Sequence, residues 1–306
     1  MNRISTAQIA ARSIETITSR QAEMSKLQQQ IATGRKLTTP ADDPAAADAT
    51  VRQHAEIARL GVEKRMVDFA KLKLEQSEGA IGEGVELFQR VRELLLGANN
   101  DTQTPGDRAL VATELRGLRT DLLHIANRSD GLGAYVFGGA GTRTPPFVEG
   151  ADGVTYVADA GTQMTGQERT FATSTDGSRL FEAAQAVSGH RSIFEAMDQV
   201  IGLLEGPDAS GDPLHEGIAS MIADVDRSID AFNAARATVG EQLGAVDRRI
   251  AQIEQGNLVA TERLADLTEV DFAEAISALS SRQTGLEAAM QTYAQISGLS
   301  LFNYIR

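Results

Sequence analysis

Cysteine and tryptophan are absent from the chain, and only 5% of its 306 residues are aromatic. Without cysteine there is no disulfide, no thiolate metal ligand and no cysteine nucleophile. Much of the 42% apolar content is alanine, which suits thin helix–helix contacts better than a wide core. Basic residues are in the minority, 29 Lys and Arg against 42 Asp and Glu, giving a net charge of −13 and a pI near 4.8. That balance argues against a nucleic-acid binder, which needs clustered cations to neutralise phosphates. It favours solubility and mutual repulsion of free chains. No stretch approaches the roughly 18 consecutive apolar residues of a membrane span, so no membrane insertion is expected. The start, Met1-Asn-Arg-Ile-Ser-Thr-Ala-Gln, lacks the apolar run of a secretory signal. A cytoplasmic protein and one exported without signal cleavage both fit.

What is present is helical periodicity at both ends. Ala7, Ala10, Ile14, Ile17, Gln21, Met24, Gln28 and Ile31 alternate steps of three and four, which places them on one narrow seam. Phe272, Ile276, Leu279, Gln283, Leu286, Met290 and Tyr293 do the same, and the chain continues apolar through Leu301 and Phe302. Each seam is too weak to hold a lone helix, and an apolar end on such a helix points to burial in an assembly. Residues 1–36 hold six Lys/Arg against two Asp/Glu, a net of +4, and residues 265–306 hold two against five, a net of −3. Opposite charge favours pairing of the two ends.

Between the ends, Gly34 closes the first helix and Asp43 followed by Pro44 opens the second. That second helix is expected from about Ala45 into the 90s, with a seam at Val51, Ala55, Ala58, Val62, Phe69 and Leu72, then Leu87, Val91 and Leu94. A turn at residues 99–106 precedes a third helix, about Asp107–Arg128, with Leu115, Leu118, Leu122 and Ile125 on one face. Residues 131–189 are rich in Gly and Thr, with strand-like alternation at Val154–Val157 and hairpin-turn dipeptides at Asp152-Gly153 and Asp176-Gly177. Helical patterning returns over Ile193–Leu204 and again over about Leu214–Gly256, carrying Ile218, Ile222, Val225, Ile229, Phe232, Val239, Leu243, Val246, Ile250 and Ile253.

No catalytic constellation emerges. Asp42 and Asp43 stand beside Pro44 ahead of a helix and read as a cap and a dipole partner rather than an acid pair. His54, His124, His190 and His215 are scattered without metal-ligand spacing. Gly131-Leu-Gly-Ala-Tyr-Val lacks the third glycine of a dinucleotide loop, Gly138-Gly139 lacks the Lys-Ser/Thr of a phosphate loop, and no Gly-x-Ser-x-Gly elbow occurs. An enzyme is not expected, nor a metal or organic cofactor.

Several segments, in order, resemble a known superfamily. Ala32-Thr-Gly-Arg-Lys-Leu-Thr-Thr-Pro-Ala-Asp-Asp-Pro-Ala-Ala looks like the signature loop of the flagellins, carried here by Gly34, Pro40, Asp42, Asp43 and Pro44. Gln89-Arg-Val-Arg-Glu-Leu with Asn99-Asn100 is similar to the helix that follows in them. Leu267-Thr-Glu-Val-Asp-Phe-Ala-Glu-Ala and Ile296-Ser-Gly-Leu-Ser-Leu-Phe-Asn-Tyr-Ile are similar to their carboxyl end. The prolines around the Asp pair, Tyr135-Val-Phe-Gly-Gly leading to Pro145-Pro-Phe, and the ending Ser-Leu-Phe-Asn-Tyr-Ile-Arg resemble the branch that joins hook to filament. A short flagellin, the filament subunit itself, is the alternative, and a cytoplasmic coiled-coil adaptor a more distant one.

The resemblance implies a mainly α fold, an elongated helical bundle and coiled coil formed by both chain ends with a small β-rich inserted domain. It divides the chain into an inner terminal domain (1–40 and 265–306), a helical bundle (41–130 and 190–264) and an outer domain (131–189). It implies an extracellular structural subunit of the flagellum exported by the flagellar type III route with a chaperone. The neighbours implied are copies of itself, the first hook-associated protein on the hook side, and flagellin or the filament cap on the distal side. The residues expected at the assembly contacts are Ile14, Ile17, Met24, Ile31, Phe272, Ile276, Leu279, Leu286, Tyr293, Leu301 and Phe302. The flagellin counterpart of Gln89–Leu94 is similar to a surface read by an innate immune receptor; the plainer reading is a solvated charged face against a neighbouring subunit.

Overall fold

The structure is a computed structural model describing residues 6–100, 102–141, 143–151, 153–166, 169–183, 189–206 and 211–302. For residues 6, 7, 9, 10 and 296–302 it describes the backbone alone. The described elements are seven helices and four short strands: α1 (Thr6–Thr33), α2 (Pro44–Ala98), α3 (Pro105–Ala126), β1 (Phe147–Gly150), β2 (Gly153–Tyr156), β3 (Met164–Thr165), β4 (Phe171–Ala172), α4 (Gly177–Phe181), α5 (Ile193–Glu205), α6 (Asp212–Thr268) and α7 (Phe272–Phe302). The fold is mainly α, as the seams predict. The chain divides into two compact units, residues 1–60 with 255–306, and residues 61–254.

In the second unit α2 runs antiparallel to α6, and ion pairs fix their register. Lys64 reaches Glu254 at 2.9 Å, Lys71 reaches Asp247 at 2.8 Å, Arg236 reaches Glu78 at 2.8 Å and Arg92 reaches Asp226 at 2.8 Å. The α2 partners fall at multiples of seven, which is coiled-coil spacing. Each exposed pair contributes only about 0–1 kcal/mol, so together they select the register more than they stabilise it. Beneath them α2 buries Val67, Ala70, Leu74, Ser77, Ile81, Phe88, Val91 and Leu95.

That face corrects the seam expected for the first half of α2. Val51, Val62, Phe69 and Leu72 are 66%, 36%, 40% and 46% exposed. The buried stripe instead admits Glu63 and Lys73, whose charges are matched from elsewhere in the fold by Arg249 and Asp130. Leu87 and Val91, further along, are buried as expected.

α3 begins with a capping box: the Asp107 amide donates to Thr104 Oγ1 at 3.2 Å and the Thr104 amide donates to Asp107 Oδ2 at 3.0 Å. It buries Ala112, Leu115, Leu122 and Ile125 and lies antiparallel to α5, with Arg116 on Glu205 at 2.6 Å and Arg119 on Asp198 at 2.9 Å. α6 does not stop near Gly256 but continues to Thr268. Val246, Ile253 and Ala260, seven apart, are all buried, so the apolar period carries the helix through a glycine that costs only about 1 kcal/mol.

The Gly/Thr-rich segment supplies two hairpins. β1 pairs antiparallel with β2 from Phe147 opposite Tyr156 to Gly150 opposite Gly153, as Asp152-Gly153 predicts. β3 pairs with β4, a hairpin the sequence did not announce. Asp176-Gly177 is not a hairpin turn: Asp176 caps α4, accepting from the Ser178 amide at 3.1 Å. Glycine is needed after it because a Cβ there would lie 2.8 Å from the Phe137 carbonyl oxygen. Phe181, at the end of α4, is a hub. Its ring centroid lies 5.4 Å from Phe137, 4.8 Å from Phe147, 5.9 Å from Phe194 and 5.2 Å from Phe232. Six phenylalanines, counting Phe88, thus join the segment 131–189 to the helices in one aromatic core.

Candidate assembly surface

The first unit is built differently. α1 and α7 pair antiparallel, with Arg282 ion-paired to Glu23. Their connections are fastened at one end by a short backbone bridge, the Lys36 amide donating to the Thr268 carbonyl at 2.7 Å and the Val270 amide to the Gly34 carbonyl at 3.1 Å. Gly34, at φ +68°, provides the left-handed turn that ends α1 beside this bridge.

The signature loop is organised by its aspartates. Asp42 Oδ2 accepts from the Thr39 amide at 2.8 Å, the Thr38 amide at 3.2 Å and the Thr38 hydroxyl at 2.9 Å, while Oδ1 takes Lys26 Nζ at 2.7 Å. Lys26 first, then the threonine donors, hold this carboxyl far below the usual carboxylate range. The Asp42 amide closes a turn on the Thr39 carbonyl at 3.1 Å, with Pro40 one residue into it, where proline's fixed φ suits. Asp43 caps α2, accepting from the Ala45 and Ala46 amides at 3.0 and 2.9 Å, and Pro44 follows at the first helical position. Asp271 does the same for α7 through the Ala273 and Glu274 amides, a cap the apolar seams did not reveal. A groove of about 490 Å³ opens beside the loop, lined in part by Leu37, Pro40, Val51, His54 and Leu264.

The side chains expected at assembly contacts divide into two sets. Leu286 is buried and Leu279, Tyr293, Ile17, Met24 and Ile31 are half-buried. Ile14, Phe272 and Ile276 are 50%, 51% and 56% exposed, and Met290 with them 43%. Leu301 and Phe302 have side chains outside the described residues. Among the described residues of this unit only Leu60, Ala260, Ala275 and Leu286 are buried apolar side chains. Ala275, not its larger neighbour Ile276, faces inward because the antiparallel partner selects a face about a quarter-turn from the one marked by size.

The Gln89–Leu94 stretch, in the second unit, is charged outside and apolar within. Val91 is fully buried, while Arg90 pairs with Glu114 at 2.6 Å and Arg92 with Asp226.

Residues 4–142 match the bacterial flagellin N-terminal helical region. The flagellar hook-associated protein 3 of Escherichia coli (strain K12) is 29% identical over 98% of this chain and 98% of its own length. In structure, the FlgL of Xanthomonas campestris superposes with a TM-score of 0.59 at 19% identity, covering 70% of this chain and 99% of that one. The flagellar junction protein FlgL of Legionella pneumophila gives 0.54 at 16% identity, covering 64% and 98%. A flagellin of Clostridium tyrobutyricum is 26% identical over 35% of this chain.

Proposed function

We infer that this flagellin-like chain is a structural subunit of the bacterial flagellum at the junction of hook and filament, and not an enzyme. The observation that carries the reading is similarity to a hook-associated protein 3 over essentially the whole of both chains, including the two ends, where the flagellin match is confined to about a third of this one.

The assembly follows from the contrast between the two units. Residues 61–254 have a dense aromatic core and fold on their own contacts. Among the described residues, the pairing of α1 with α7 buries few side chains to set against the ordering of two long helices, which costs about 1–2 kcal/mol per residue for the backbone alone. The ends of a free subunit are therefore loosely ordered, and they complete their folding when Ile14, Phe272, Ile276 and the apolar end with Leu301 and Phe302 are covered by sister chains. A head-to-tail contact that does not close on itself generates a helical tube. Residues 1–40 and 265–306 line the inside of that tube, and residues 131–189 face outward. The groove beside Pro40 and Val51 opens to a neighbouring copy.

The neighbours are the first hook-associated protein on the hook side and flagellin or the filament cap on the other. Export is through the flagellar type III route, with a chaperone covering the apolar carboxyl end. A chain without cysteine enters that route with no thiols to cross-link.

The experiment is deletion of residues 290–306. The shortened protein is expected to remain soluble and helical while filaments no longer attach to hooks; full-length filaments on such cells would overturn the reading. Self-assembly of the purified intact chain into long filaments would instead favour the short flagellin.

A further inference from the structure

His190 stands two residues before Ser192, the N-cap of α5. Its Nδ1 lies 2.9 Å from Oδ2 of Asp224 on α6, and its Nε2 meets Oε1 of Gln199 on α5. Asp224 is completely buried and the imidazole only 18% exposed. A neutral imidazole carries one N–H and the imidazolium two. Facing two oxygen acceptors, the ring serves both only as the cation; as the neutral form it must drop one contact or have the Gln199 amide turn over. A carboxylate as deeply placed as Asp224 calls for a compensating positive charge.

The surrounding charges point the same way. On α5, Glu195 adds negative potential and is itself held by Arg191, whose amide donates to Glu195 Oε2 at 2.6 Å. The Glu195 amide in turn donates to Ser192 Oγ at 3.4 Å. The entry to α5 is thus a chain of contacts from Arg191 through Glu195 and Ser192, and His190 is its link to α6. Burial opposes charging the imidazole, but the contacts with Asp224 and Gln199 and the charges of Asp224 and Glu195 prevail, holding it above the ordinary histidine range.

We propose that His190 is a protonation latch, which as the imidazolium fastens the entry of α5 to α6 through Asp224 and on losing its proton lets that entry go. Because the group is raised in the folded chain, its contribution is complete below the unfolded value of about 6.5 and disappears as pH climbs through the folded value. The latch is independent of the assembly role and operates within residues 61–254.

The test is NMR titration of the histidine ring protons of the full chain, with His190→Gln identifying the resonance, together with amide exchange of Ser192–Ala196 corrected for intrinsic rates. His190 is expected to titrate above about 6.5, and exchange in that first turn should accelerate by up to about tenfold for each unit of excess as pH passes the midpoint. In His190→Gln the corrected rates should be the same on both sides. A midpoint at or below the ordinary value, or a pH step that persists in His190→Gln, overturns the latch. Asp224→Asn should lower the midpoint; if that variant does not fold, the two measurements on the parent and His190→Gln decide.

Discussion

Phe88 on α2 and Phe232 on α6 meet edge-on, ring centroids 5.1 Å apart and planes at 88°, against the bare backbone of Gly84. A Cβ on Gly84 would lie 2.9 Å from Phe232 Cδ1, and closer still to Cε1, and the ring is fully buried with nowhere to retreat. Alanine at this position gains up to about 1 kcal/mol of helix propensity. Overpacking costs about 1–3 kcal/mol. Crowding wins, so Gly84→Ala should lower the stability of residues 61–254 where the same change at Gly79, which has open space around it, should raise it. Urea unfolding of the full chain followed by circular dichroism checks both, and stabilisation by Gly84→Ala would contradict the packing described.

Lys73 and Asp130 form a second test of the same unit. Both side chains are 6% exposed and ion-paired, and Asp130 also accepts from the Leu132 and Ala134 amides at 2.7 and 3.0 Å. Burial pushes the Asp130 carboxyl up, but Lys73 and the two amides more than reverse this and hold it below its usual value. Removing one partner of a buried pair leaves an uncompensated charge, a loss of about 3–5 kcal/mol. Lys73→Met should therefore cost that much, and Lys73→Met with Asp130→Asn should recover a good part of it. Equal losses in the single and double variants would mean the pair is not coupled.

These two features mark where sequence reasoning stopped. Apolar spacing located every long helix among the described residues, and Asp43 was legible as a cap because capping is a local rule involving two or three residues. Asp42, expected as a dipole partner, instead holds Lys26 and the Thr38 and Thr39 amides. The buried face of α2 was not legible. Its stripe contains Glu63, Lys73 and Ser77, which read as surface residues until Arg249 and Asp130 arrive from 186 and 57 positions away. Meanwhile Phe69, whose ring lies beside Lys73, and Leu72, which by size belong inside, are left exposed. Asp176-Gly177 failed for a similar reason: the dipeptide permits a turn or a cap, and the close approach of Phe137 decides for the cap. In the terminal seams, which side of α7 faces α1 depends on the partner helix, so Ala275 was passed over, while Ile276, expected at contacts between subunits, lies exposed in the single chain.

Asp42 gives a pH prediction for the signature loop. Its carboxyl is depressed in the folded chain, so its contribution is present above the unfolded value of about 3.9 and is lost as pH falls below it. Between pH 5 and 8 the loop should be indifferent to pH. Exchange protection of the Thr38 and Thr39 amides, which donate to Asp42, should be constant across that range and fall in Asp42→Asn. Unchanged protection in the variant would show that the turn stands without the carboxylate.

The two sets of side chains on α7 should behave oppositely. Leu286 is buried within one chain, so Leu286→Ala should loosen the already weak α1–α7 pairing of the free subunit further and lower whatever helical signal its ends retain. Ile276 and Met290, fourteen residues apart on one stripe, are 56% and 43% exposed and have little to lose in isolation. The double change Ile276→Ser, Met290→Ser should alter monomer stability by no more than about 0.5 kcal/mol at each site. If sister chains cover that stripe, the same variant should be secreted but fail to hold filaments, which is read from motility and from flagellin shed into the medium. Normal motility with the double change would place the subunit contacts elsewhere, whereas a monomer that loses its helices would mean the stripe already packs within the single chain.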